Sequence, residues 1–213
     1  MKHLPLTSRS SALLAIMLSA CLLGGALTLL PGPSVSLADI SCGSDVALVA
    51  IKLKANQAAC SFFKVSLRKS DLHDADLTRI ILAESDLTRA DLHNANLTGA
   101  NLMGSFFNHA NMEKANLTGA NLSWGQFWSA NLKEANLRGA DLSRAELRRA
   151  DLRYADLRGA RLDMAVLAVA DLRGADLRGA KLEGADFIKA KYDDATQWPE
   201  RFNPASTTAD KVD

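Results

Sequence analysis

The residues with most capacity for chemistry in this chain of 213 residues are few and recur at regular intervals. His73, His93 and Glu113 follow one another at steps of 20 residues, and imidazole is a common metal ligand. A metal site needs ligands that converge at about 2 Å on one ion. Side chains repeated at a fixed step stand parallel instead, so a solvated ladder is the simpler reading, and metal or small-ligand binding on His73 and His93 is kept as an alternative. Arg138, Arg158 and Arg178 recur at the same step beside Arg153 and Arg173, but Asp151, Asp156, Asp171 and Asp176 stand two positions before four of these arginines. That pattern predicts a solvated salt-bridge lattice rather than an anion site. No phosphate loop, H-E-x-x-H, G-x-S-x-G or Cys–His arrangement occurs, so neither an enzyme nor a bound cofactor is expected.

What must position these residues is a repeat. Residues 60–194 divide into 27 consecutive pentads without insertion or deletion. The third position is Leu in 21 of them and otherwise Phe, Met or Tyr; the first is Ala in 20; the second is Asp or Asn in 17. A period of five fits neither an α-helix nor a plain strand. Positions one and three share a face if extended, and the last two residues must then turn the chain. Gly at the fifth position (99, 119, 139, 159, 174, 179) suits a turn that needs φ > 0.

Ala-Asn-Leu-Thr-Gly (95–99, 115–119) and Ala-Asp-Leu-Arg-Gly (155–159, 175–179) state the unit most cleanly. This pattern resembles the pentapeptide-repeat family. The resemblance implies an all-β fold, a right-handed quadrilateral β-helix in which four pentads make one coil and residues 20 apart stack. The Leu column then fills the interior and the Ala column lets neighbouring walls approach, so Leu137→Asp should abolish folding. Such a packed rod has no natural cleft, which agrees with the absence of catalytic motifs.

Both ends are expected to be covered, because open strand edges invite aggregation. Val46, Val49, Ala50 and Leu53 have helical spacing, which predicts a short capping helix within residues 39–59. At the other end, residues 195–213 read as a cap followed by a tail. Tyr-Asp-Asp-Ala-Thr-Gln-Trp-Pro (192–199) resembles a closing segment of the family, with Trp198 as the plug; beyond Asn203 the composition predicts disorder.

Residues 1–38 read as an export signal: Lys2 and Arg9, an apolar stretch from Ala12 to Leu30, then Ser36-Leu37-Ala38 before a cleavage point. Two alternatives stay open, lipidation at Cys21 within Leu-Ser-Ala-Cys (18–21) and an uncleaved membrane anchor. Each puts the bulk of the chain outside the cytoplasm, in a bacterial periplasm or, for a cyanobacterium, the thylakoid lumen. Cys42 and Cys60 are then expected to form a disulfide, two free thiols being the alternative.

The whole chain has 25 Lys and Arg against 24 Asp and Glu, and loss of Lys2 and Arg9 leaves 23 against 24. That balance argues against nucleic-acid binding. Some family members protect DNA gyrase as acidic DNA mimics; that function is the runner-up here, and both the charge balance and the export signal depart from it.

The outward positions single out one surface. With faces A to D centred on Leu82, Leu87, Leu72 and Leu77, faces C and D keep the Asp/Asn column almost unbroken. Faces A and B break it with Ile81, Phe106 and Val166, and carry Met103, Trp124, Met164, Trp128, Val169 and Ile188 outward. An apolar strip of this kind is expected to contact an unknown protein partner or a second copy of the chain. Cover by other segments of the chain, or residues merely scattered among charges, would also account for it.

Overall fold

A computed structural model describes residues 63–212. The chain winds as a right-handed, four-sided β-helix. The second residue of each pentad forms a parallel bridge with its counterpart 20 residues on, from Ser66–Asp86 to Asp171–Lys191. The motif follows from how one pentad satisfies its backbone. Asn96 N–H donates to Ala75 in the coil before (2.9 Å), and Leu97 and Gly99 donate to Asn116 and Thr118 in the coil after (2.7 and 2.9 Å). Ala100 N–H closes the turn on Leu97 O at 3.0 Å. That leaves Thr98 N–H, which donates to the Asn96 side chain at 3.2 Å. Asp or Asn at position two therefore supplies the acceptor that the backbone lacks, an Asx turn repeated coil after coil.

The fifth residue is left-handed throughout, the signature of a type II turn. Glycine adopts this conformation freely, yet Lys69, Arg89, Trp124 and Val169 adopt it too, with φ of 56°, 59°, 60° and 63°. The repeat thus imposes the geometry even where a side chain opposes it. Inside, Leu and Ala columns are buried almost completely, Leu137 among them. Phe107 and Phe127 stack within the core, centroids 4.9 Å apart and nearly parallel. The buried hydroxyl of Ser105 donates to Leu82 O at 2.6 Å, so its polarity is satisfied.

The C-terminal end differs from the expectation. Beyond Asn203 the chain is ordered: a 3-10 helix, Pro204–Ser206, leads to β2 (Asp210–Lys211), which pairs parallel with β1 (Lys191–Tyr192). The small polar composition gave no sign of this, because the order comes from a distant unpaired edge that Ala190 O and Tyr192 O present to Asp210 and Val212 N–H (2.7 and 2.8 Å). Trp198 packs on Phe187, Tyr192 and Phe202 against the last coil. The segment 1–38 with Cys21, the expected capping helix within 39–59, and Cys42 and Cys60 lie outside the described residues.

Candidate interaction surface on faces A and B

Trp124 ends face A and Trp128 lies on face B, 57 % and 43 % exposed respectively. Met103 and Phe106 occupy the preceding coil and are exposed as well. Each tryptophan is held by a residue one coil away. The Arg144 guanidinium lies 4.8 Å from the Trp124 ring centre, a cation–π contact. His109 meets Trp128 edge to face at 4.6 Å. Face B lacks the Asx acceptor where Gln126 replaces Asp or Asn, and Trp128 N–H donates instead to Asn108 Oδ1 in the coil before, at 3.0 Å. His109, Arg144 and Asn108 are the supporting residues that the sequence reading missed. The signal was present: each stands 19 or 20 residues from the tryptophan it holds.

Met164, Val169 and Ile188 are exposed and Ile81 is so at the far end, whereas Val166 is half-buried in the bridge column between Glu146 and Asp186. The expected strip is therefore not continuous. Arg144, Glu146, Arg148 and Arg149 form a charged belt between the tryptophan group and the group of Met164, Val169 and Ile188. Arg148 is paired with Glu146 within that belt at 3.2 Å.

Faces C and D carry polar ladders. Asn131 Nδ2 donates to Asn111 Oδ1, and Asn111 Nδ2 to Asp91 Oδ1, both at 3.0 Å. Arg158 grips Asp156 with Nε on Oδ1 (2.8 Å) and Nη2 on Oδ2 (2.5 Å), and Arg173 and Arg178 grip Asp171 and Asp176 in the same way. These forks hold the Asp156 and Asp176 carboxyls below the usual carboxylate range, the side-chain bonds from Arg158 and Arg178 being the main cause. His73 and His93 stack with ring centres 6.1 Å apart, but their partners diverge. His73 Nδ1 bonds Asp71, which raises its pKa above 6.5, and His93 Nε2 meets Asn94 at 3.1 Å. Glu113 accepts from Asn131 Nδ2 at 3.2 Å and pairs with Lys133 at 3.8 Å. Among the described residues no group of three or more His, Cys, Asp or Glu gathers on one point.

The family model for pentapeptide repeats matches in overlapping segments that together span residues 60–127 and 130–191. The chain belongs to the pentapeptide-repeat family. No curated protein matches it. Among solved structures, this pentapeptide-repeat protein is similar to QnrB1, a plasmid-mediated fluoroquinolone resistance protein, with a TM-score of 0.50 at 16 % identity over 72 % of this chain and 81 % of that one. It is also similar to HetL, a pentapeptide repeat protein involved in heterocyst differentiation regulation in the cyanobacterium Nostoc (35 % identity, 62 % and 76 % covered, TM-score 0.31). A third is a pentapeptide repeat protein from the Arabidopsis thaliana thylakoid lumen (31 % identity, 49 % and 66 % covered, TM-score 0.31).

Proposed function

We propose that this chain is a non-catalytic interaction scaffold, exported from the cytoplasm, which presents faces A and B to a protein partner or to a second copy of itself. One observation carries the reading: Trp124 and Trp128, four residues apart on adjoining faces, both stand exposed on a rigid wall. Large aromatics held in place lose little freedom on contact and dominate interface energetics. The packed Leu interior, and the self-contained partners of the His and Arg columns, leave faces A and B as the better support for a function. Export rests on the N-terminal pattern, and with it goes a disulfide between Cys42 and Cys60.

Sedimentation of the native protein beside a Trp124→Ser, Trp128→Ser variant tests the reading. A native assembly that the folded variant lacks would identify a self-contact. If the native protein is monomeric, the pair should govern which proteins it retains from an exported fraction. Native and variant that sediment alike and retain the same proteins would refute the proposal. Intact mass with and without reductant checks the Cys42–Cys60 bond.

A further inference from the structure

The fifth-position column of face B reads Lys69, Arg89, His109, Ser129, Arg149, Val169, Lys189, and neither it nor the fourth-position column beside it contains an acid. These two columns form the corner between faces B and C. Arg68 and Arg148 in the fourth-position column are paired with Asp86 and Glu146. Among the described residues, Lys69, Arg89, Arg149 and Lys189 form no ion pair. The carboxylates two residues beyond Lys69, Arg89, Arg149 and Val169, at the start of face C, are already engaged: Asp71 with His73, Asp91 with Asn111, Asp151 with Arg153 and Asp171 with Arg173. On faces C and D Arg153, Arg158, Arg173 and Arg178 are neutralised within their own pentads and Lys114 by Glu134 of the next coil. Among the described residues Arg79 and Arg138 are single unpaired cations, whereas the four at this corner form a column.

Backbone geometry does not demand these side chains. The equivalent corner after face D has the same left-handed turns and, Arg79 apart, fills them with Gly99, Gly119, Gly139, Gly159 and Gly179. The corner after face B has no glycine, although a side chain at positive φ costs about 1 kcal/mol or more relative to glycine. The cations are thus kept against a conformational penalty. At roughly 4.8 Å per coil they span about 29 Å along one edge, and Trp128 stands among them on His109.

We infer that this corner seats an acidic polypeptide segment of the partner, with Lys69, Arg89, Arg149 and Lys189 meeting its carboxylates and Trp128 anchoring an apolar residue between them. The inference rests on the proposed role of faces A and B as an interaction surface and specifies the partner's chemistry. The balanced charge of the chain, 25 Lys and Arg against 24 Asp and Glu, favours a polypeptide over a nucleic acid, which needs denser positive charge.

The test is fluorescence anisotropy with a labelled peptide that alternates glutamate and leucine, measured on the native protein and three variants. Reversal of Lys69, Arg89, Arg149 and Lys189 to Glu should weaken binding about tenfold, from four exposed pairs of modest strength. Reversal of Arg79, Arg138, Lys181 and Arg201 to Glu makes the same net-charge change elsewhere and should alter it less than about twofold. Gln at the four corner positions should give an intermediate loss and keeps the test readable if reversal disturbs folding. Equal loss in both reversed variants, no saturable binding by the native protein, or tighter binding of an oligodeoxynucleotide of equal charge would overturn the inference. Should peptide binding survive corner reversal while the Trp124→Ser, Trp128→Ser variant loses its assembly or partners, the acidic chemistry is wrong and the interaction surface stands.

Discussion

Phe127 leaves no room for a side chain at Gly125: a Cβ there would lie 2.6 Å from the ring's Cε2 and 2.9 Å from Leu122 O. Position 125 belongs to the column that is otherwise mostly Ala, so the glycine is the small half of a large–small pair whose other half stacks on Phe107. Gly125→Ala should destabilise the rod by about 1–3 kcal/mol through overpacking. In a Phe127→Leu background the same substitution should cost measurably less. Urea denaturation of the four proteins in this cycle reads the coupling, and equal costs in both backgrounds would contradict the pairing.

Val169 is a β-branched residue held at a φ of 63° with an exposed side chain. Val169→Gly removes that opposition and should stabilise by about 1 kcal/mol, offset in part by the greater freedom of glycine in the unfolded chain. Thermal melting gives the sign. A lower midpoint would mean that the contacts of the Val169 side chain outweigh its backbone strain.

The forks on Asp156 and Asp176 make a pH prediction. Their carboxyls are held below the ordinary value of 3.8, so the stability they add is present above that value and is lost as the pH falls through the folded pKa. Asp156→Asn keeps the Asx acceptor, as Asn136 does one coil earlier at 3.2 Å from Arg138 N, but removes the charged fork. Its unfolding midpoint should therefore fall less steeply below about pH 4 than that of the native protein. Parallel acid-side curves would rule out the forks as the source.

His73 makes the opposite prediction. Its side-chain bond to Asp71 raises its pKa above 6.5, so its contribution is fully present below 6.5 and fades as the pH rises through the folded value. An NMR titration should show His73 titrating above the ordinary value, and Asp71→Asn should return it there. An unchanged titration in the variant would assign the shift to other neighbours.

The architecture was legible because its signal is periodic and redundant. Leu97, Leu117 and Leu137 repeat one instruction, and 20-residue stacking follows from the four-pentad coil. The tail was illegible for the converse reason. Gln197 pairs with Asp176 at a step of 21 residues and Asp210 with Lys191 at 19, so the closing pairs obey no period. Exposure at Trp124, Trp128 and Met164 could be read from pentad position, since positions four and five turn outward and only small residues there, Ala83 and Ser123, are buried. Val166 could not, because a second-position side chain lies in the bridge column, where neighbouring coils cover part of it. The division of the apolar strip lay in the sequence as well, but only aligning Arg144, Glu146 and Arg148 by coil exposes it.

Because four pentads complete a coil and the bridges register residues 20 apart, the rod behaves like a dial with four stops. Loss of one unit, residues 140–144 for example, would keep every remaining Leu indoors and turn everything after it by a quarter revolution about the long axis. Val169 and Ile188 would swing from face B to face A, while Trp124 and Trp128 stayed where they are. The angular layout of this surface is therefore set by counting, and gain or loss of whole pentads could redraw it at little cost to the fold.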